Sequence, residues 1–556
     1  MTELLVVLVT GLLVIAGATV IGPRFGVASP LVLVAIGVAA SFLPMFGAFE
    51  IDPEWILEGL LPPLLYSSAV SLPTMNFRRD FGTISGLSVL LVVGTALVLG
   101  LFFMLVVPGL GFTWGVALGA IVSPTDAVAT SIVKRSNVSR RVVTILDGES
   151  LLNDATALVL LRTAIVATAA SFSFWGAVGT FAYAVVLALL IGAAVGALNL
   201  AVRKHVTDAT VNTVISFAVP FVAAIPAELL GASGLVAAVV AGLITGFRAP
   251  RVLSPRNRLS DSQNWHTVEL VLEGTVFLTM GLQLTSILTH VHNDHAGIGT
   301  AVLVASGALL LTILVRAAYV APLLGILSAR GRIYGKMRPR FQGLQERIST
   351  PEGRQRTLDR LNAAGRKATE QDLDRFAVRV TRGLADIQYL LRAPLGWREG
   401  AAVVWAGMRG AVTVAAAQTL PADTPQRSVL ILIAFAVAVA SLLLQGGTLG
   451  PLLRVMAPKG GQAALAEDTA AERARIVALM RETSESVPEP AVPDGATRQE
   501  QFALSTGHRL AVLDAQRSTL LDARDNGVFD ADVLEDALID LDAAQIAIEL
   551  RGRYAH

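Results

Sequence analysis

The sequence predicts an all-α polytopic membrane protein of about thirteen transmembrane helices, with a helical cytoplasmic tail. Three observations carry that prediction. Mean hydropathy is +0.62, and charged residues fill only 16% of the 556 positions, where a soluble chain would carry about 25%. Apolar runs long enough to cross a hydrocarbon core about 30 Å thick recur from Leu4 to Gly450. After Arg454 the chain turns charged, helix-forming and proline-punctuated. There is no cysteine, so disulfides and thiolate ligands are excluded. The net charge of +1 hides a segregation of charge along the chain, and no nucleic-acid partner is expected.

The expected spans are 4–22, 30–47, 56–73, 82–107, 112–133, 142–169, 174–202, 209–227, 233–248, 266–289, 297–327, 398–420 and 428–450. The first is not a cleavable signal, because it lacks a basic leader and is long enough to span. The loops between spans alternate in charge. One set holds Arg24, Arg78 and Arg79, Lys134 to Arg141, Arg203 and Lys204, Arg248 to Arg258, and the basic segment after 328. The other holds Glu50, Asp52 and Glu54, Glu228, the stretch His290, His292, Asp294 and His295, and Asp423 with the single basic Arg427. Lys and Arg favour the cytoplasmic side. The N-terminus is therefore expected outside and the C-terminus inside, in a multi-pass plasma-membrane protein.

Two domains are expected: a transmembrane domain, 1–455, and a cytoplasmic tail, 456–556. A polar insertion, 328–396, interrupts the first and reads mainly as a solvated loop, with an amphipathic helix at 369–390. In the tail, 467–483 reads as helix and 484–497 as a Pro-rich linker. A helical hairpin is expected over 498–524 and 531–551, turning at Asp525-Asn526-Gly527. Its stripe of Leu534, Leu538 and Leu541 needs a partner, either a second copy or the membrane domain.

The chemistry concentrates in three interruptions. Residues 146–161, in span six, place Glu149, Ser150, Asn153 and Asp154 inside an apolar helix. Acids at that depth mark function by default. Asp154 lies roughly 18 Å along the helix from Val142, near the midplane. Ser150 and Asp154 share one face; Glu149 points about 140° away from Asp154. In span five, Ser123-Pro124-Thr125-Asp126 should break the helix, since proline removes a backbone donor. Span twelve carries a matching interruption, Gly407-Met408-Arg409-Gly410. By the charge alternation the two spans run oppositely, as an inverted repeat would give. Arg316 in span eleven and Arg162 in span six are intramembrane cations. Arg316 can pair with Glu149 by depth, with Arg409 as the alternative partner; Arg162 fits snorkelling better.

Ser123-Pro-Thr-Asp-Ala-Val-Ala, Gly148-Glu-Ser-Leu-Leu-Asn-Asp and Gly407-Met-Arg-Gly-Ala-Val, in this order, resemble the monovalent cation:proton antiporter family. Leu61-Pro-Pro-Leu-Leu-Tyr looks like its third-helix motif. The resemblance covers about residues 1–455 and implies a sodium/proton exchanger of the bacterial form. It implies thirteen helices, a dimer-forming scaffold, and a mobile core with two broken, crossed helices. It implies that Asp154 binds cation or proton, and that Asp126, Thr125 and Ser150 surround the ion, here Na⁺. Asn153 completes the asparagine–aspartate pair of electroneutral members, and Glu149 matches a structural glutamate paired with Arg316. The chain departs from the family pattern at Ala127, at Ala155, and at Ser67 and Ser68, where some members carry a glutamate.

Elementary chemistry points the same way. Carboxylate, hydroxyl and carbonyl oxygens suit a hard monovalent cation. A part-dehydrated carboxylate holds a proton or a cation, not both, and alternating access then suffices for exchange. No cofactor and no enzymatic activity are expected. A cation channel would also want intramembrane acids, but no repeated filter sequence is present. An intramembrane aspartyl protease could use Asp126 and Asp154, but the glycine-rich motif around the second aspartate is absent.

Overall fold

The computed structural model describes residues 2–46, 51–136, 138–169, 174–293, 297–363, 369–456, 461–493 and 496–553. Glu50, Asp294 and His295 of the outer charge set lie outside them. The described residues are helical, without a strand. The chain divides into two compact units: 1–253, 260–322 and 397–457 form the first, and 254–259, 323–396 and 458–556 form the second.

The helices up to the insertion run in chain order. They are α1 Thr2–Ile21, α2 Ser29–Ser41, α3 Leu61–Ser71, α4 Thr74–Ser85, α5 Leu91–Val106, α6 Phe112–Val122 and α7 Val128–Lys134. Then come α8 Arg140–Ala169, α9 Phe174–Arg203, α10 Ala209–Leu229, α11 Gly234–Val252, α12 Pro255–Leu282, α13 Leu284–Asn293 and α14 Ile298–Ser349. The insertion adds α15 Pro351–Ala363 and α16 Glu370–Arg392. The chain then returns through α17 Trp397–Trp405, α18 Ala411–Gln418, α19 Arg427–Ser441 and α20 Gly447–Met456. The tail holds α21 Gly461–Ser486, α22 Arg498–Asn526 and α23 Ala531–Arg553.

Among the described residues, nine continuous helical stretches are long and apolar enough to cross a membrane alone, and α2 and α6 are shorter apolar helices. Helix also occupies the remaining expected spans, in the broken pieces α3, α7, α17 and α18. Arg78 and Arg79, read as loop, lie inside α4, which continues through a π-helical turn at Gly86–Leu90 into α5.

Local chemistry starts several helices. Pro30 and Pro62 occupy first-turn positions, where a missing N–H costs nothing. Asp208 Oδ1 accepts Val211 N–H at 2.9 Å and caps α10. Packing in the first unit relies on small residues. A β-carbon at Gly115 would lie 2.4 Å from Gly100 O, and one at Gly119 would lie 2.4 Å from Ala96 O. Only glycines allow α6 to approach α5 that closely. α11 packs against α3, α9 and α10, around buried Tyr66, Ala237, Ala241 and Trp265. Arg203, fully buried, ties α9 to α12 through Asp261 at 2.9 Å and to Asn212 at 2.8 Å.

In the second unit the insertion is not an open loop. α14 runs on to Ser349, and α16 begins with a capping box in which Thr369 and Asp372 exchange hydrogen bonds of 3.3 and 3.1 Å. Leu373, Val380, Leu384 and Ile387 form its buried face, and the amphipathic period is the reason it folds. By its contacts the insertion groups with the tail. The hairpin's stripe is also covered inside the chain: Leu534 and Leu541 pack with Ile476 of α21 and Leu520 of α22. Gly527, at φ 71°, ends α22. Asp542 of α23 receives Arg517 at 2.8 Å and Arg258, from the first turn of α12.

Candidate ion-binding site

Two helix breaks meet in the first unit. α6 stops at Val122 and α7 starts at Val128, with Pro124 between them. α17 stops at Trp405 and α18 starts at Ala411. The backbone N–H of Asp126 donates to Met408 O at 2.7 Å. The Arg409 guanidinium donates to Val122 O at 2.9 Å, to Ser123 O at 3.4 Å and to Gly407 O. Its own N–H is held by Ser441 Oγ at 2.7 Å. Arg409 thus satisfies the carbonyls that the break frees at the end of α6, where a cation also suits the helix dipole. Gly410 makes the crossing possible, since a β-carbon there would lie 1.3 Å from Asp126 Oδ2.

α8 is stapled to this crossing by its buried polar face. Glu149 forms a two-pronged pair with Arg316 of α14, one prong at 2.7 Å from Nη2 to Oε2 and the other from Nη1 to Oε1. Arg316 Nε also donates to Val403 O at 2.8 Å. Thr125 Oγ1 donates to Glu149 Oε1 at 3.1 Å. Asn153 Nδ2 donates to Thr125 Oγ1 at 2.5 Å and to Thr125 O at 3.2 Å. The partner of Glu149 is therefore Arg316, while Arg409 serves backbone carbonyls. At the other end of α8, Arg141 pairs with Asp80 of α4 at 2.7 Å. Arg162 does more than snorkel: it pairs with Glu228 of α10.

One cavity opens beside the crossing. Its walls include Asp154 and Ser150 from α8, Thr125 and Asp126 from the first break, and Gly410 to Thr413 from the second. Leu61, Leu64, Leu65 and Ser68 of α3, and Glu269, Glu273, Val276 and Phe277 of α12, close it. Of the residues singled out in the sequence, Thr125, Asp126, Ser150 and Asp154 reach this cavity. Glu149 and Asn153 lie behind it, in the Thr125 staple. Ser150 Oγ donates to Asp147 O at 3.1 Å and keeps its lone pairs. Asp126 Oδ1 accepts Val128 N–H at 3.0 Å at the start of α7. The available donors are oxygens, with two to four carboxylates among them, which suits a hard cation and its competitor, the proton.

Sequence reasoning missed Glu269 and Glu273. The signal was present: two acids at i and i+4 share one face of an otherwise apolar stretch of span ten. Glu269 Oε2 accepts Ser67 Oγ at 3.3 Å, so α3 and α12 meet through a carboxylate at the cavity wall.

The chain matches the family described as sodium/hydrogen exchanger, transmembrane, over residues 9–344 and 376–455. It is 27% identical to an uncharacterised Na⁺/H⁺ exchanger of Mycobacterium tuberculosis, over 98% of this chain and 96% of that protein. It is 30% identical to a sodium, potassium, lithium and rubidium/H⁺ antiporter of Bacillus subtilis, over 48% of this chain and 41% of that one. In fold it is similar to a sodium proton antiporter of Methanocaldococcus jannaschii, with a TM-score of 0.54 at 16% identity, covering 81% of this chain and 98% of that one. With a family match that spans both helix breaks and the α8 motif, this chain belongs to the sodium/hydrogen exchanger family.

Proposed function

We propose that this protein is a secondary antiporter that exchanges a monovalent cation, Na⁺ or in its place K⁺ or Li⁺, for H⁺ across the plasma membrane. The observation that carries the reading is the convergence of Asp154, Ser150, Thr125 and Asp126 on one cavity at the junction of two broken helices. Broken helices that expose backbone at membrane depth do so where they line an ion site. In a part-dehydrated cavity a bare carboxylate is costly. Asp154 is therefore occupied by a proton or by the cation, and each displaces the other.

Asp126 and Ser150 supply further oxygens to the cation. Thr125 faces the cavity with its hydroxyl already engaged, so the Glu149–Arg316–Asn153 staple sets its position. One exchanging acid gives a 1:1, electroneutral cycle suited to pH and sodium homeostasis. The charge alternation places the N-terminus outside and the C-terminus in the cytoplasm. A homodimer built on the scaffold helices is the assembly the family resemblance implies.

The test is cation-driven proton flux in proteoliposomes, adding Na⁺, K⁺ and Li⁺ in turn. Wild type should acidify or alkalinise with the sign of the cation gradient. Asp154→Asn should abolish flux for every cation while the protein stays monodisperse. Retained flux in that variant would remove Asp154 from the mechanism. A voltage-driven current without a counter-gradient would favour a channel.

A further inference from the structure

The cavity has a second acidic wall that the exchange cycle above does not use. α12 brings Glu269 and Glu273, one turn apart, to the same cavity as Asp126 and Asp154. The two differ in their surroundings. Glu269 accepts the Ser67 hydroxyl at 3.3 Å. Glu273 has no hydrogen bond or ion pair among the described residues, and the charged groups that act on it are Asp126 and Glu269, both acidic.

The basic residues of the neighbouring elements are already committed. Arg316 is held by Glu149, Arg409 by the carbonyls of the first break, and Lys134 by Asp147 at 3.1 Å. α12 itself carries only His266 between Arg258 and Leu282. Of the cavity carboxylates, Glu269 has the His266 and Lys134 cations acting on it, whereas among the described residues no protein cation acts on Glu273, Asp126 or Asp154. Like charges in a low-dielectric wall repel, and compensation has to come from what enters the cavity.

We infer that Glu273 is a specificity-determining residue: from α12 it offers a carboxylate oxygen to the monovalent cation that enters the cavity it lines with Asp154 and Asp126. This deepens the exchange reading and rests on it. The physical consequence is a preference among cations. Anionic oxygens create a strong local field, which recovers the larger dehydration cost of small cations better than that of large ones. Removing one anionic oxygen weakens the field, so Li⁺ and Na⁺ should suffer more than K⁺. The chemistry is that of hard oxygen sites, where ligand charge count tunes affinity.

The experiment measures the apparent KM for Li⁺, Na⁺ and K⁺ in proteoliposomes of wild type, Glu273→Gln and Glu273→Asp. In Glu273→Gln the KM for Li⁺ and Na⁺ should rise about tenfold, and that for K⁺ by less than about threefold, the scale of one lost charge-assisted contact. Glu273→Asp, whose carboxylate is withdrawn by one methylene, should move the Li⁺/K⁺ ratio the same way by less. It also decides the matter if Glu273→Gln does not fold. Unchanged KM ratios in the folded variants would overturn the inference while leaving exchange intact. Absence of cation-driven flux in wild type would instead overturn the exchange reading.

Discussion

Consider removal of the Glu149–Arg316 pair, first one side and then both. Both side chains are buried, and the bridge is two-pronged. Arg316→Ala leaves the Glu149 carboxylate with one donor, Thr125. Glu149→Ala leaves a buried guanidinium with one acceptor, Val403 O. Stranding a buried charge costs about 3–5 kcal/mol, so the two singles sum to about 6–10 kcal/mol. The double variant strands no charge. It leaves the Thr125 O–H donor without its acceptor and the Val403 carbonyl without its donor, each worth about 1–3 kcal/mol, while Asn153 still donates to Thr125 Oγ1. The double variant therefore costs about 2–6 kcal/mol, and the difference is a coupling energy of about 4 kcal/mol, above the usual range of about 0.5–3 kcal/mol for neighbouring residues. Reversible unfolding in mixed detergent micelles measures it. Arg409→Ala should couple to Glu149→Ala far less, because Arg409 bonds carbonyls of the first break and Gly407. Additive single variants, with a coupling below about 0.5 kcal/mol, would refute the pair as a structural element. Glu149 would then have to be counted with the ion ligands.

Two further outcomes follow from the geometry. Gly410→Ala places a β-carbon 1.3 Å from Asp126 Oδ2, so the carboxylate must swing away. Proton flux should fall at least about tenfold, with a larger effect on cation KM than on stability, as a misplaced ligand predicts; wild-type flux would show that Asp126 is not held where the ion passes. If Asp154 alone exchanges its proton, an imposed membrane potential should leave the steady-state pH gradient unchanged in vesicles. A gradient that follows the potential would mean that Asp126 or Glu273 carries a second proton.

The sequence by itself determined the helical membrane class, because apolar runs and the small share of charge are direct consequences of the bilayer as solvent. It also determined where both helix breaks fall. Pro124 and the pair Gly407 and Gly410 act within a few residues of themselves. It left Arg316 and Arg409 as rival partners of Glu149, and depth alone could not separate them. Only the tertiary structure did so, by seating Arg409 on the carbonyls that Pro124 frees. It also set the two neighbouring faces of α8 against different surroundings. Asp154 and Ser150 reach the cavity, whereas Asn153 turns to Thr125, because Thr125 happens to cross α8 at that height. Glu269 and Glu273 were visible as letters, yet their meeting with Asp126 and Ser67 joins segments about 140 to 200 residues apart. Covering of the tail's leucine stripe by α21 is likewise a long-range event. Periodicity shows that a helix has an apolar face, but which element covers it is decided by packing in three dimensions.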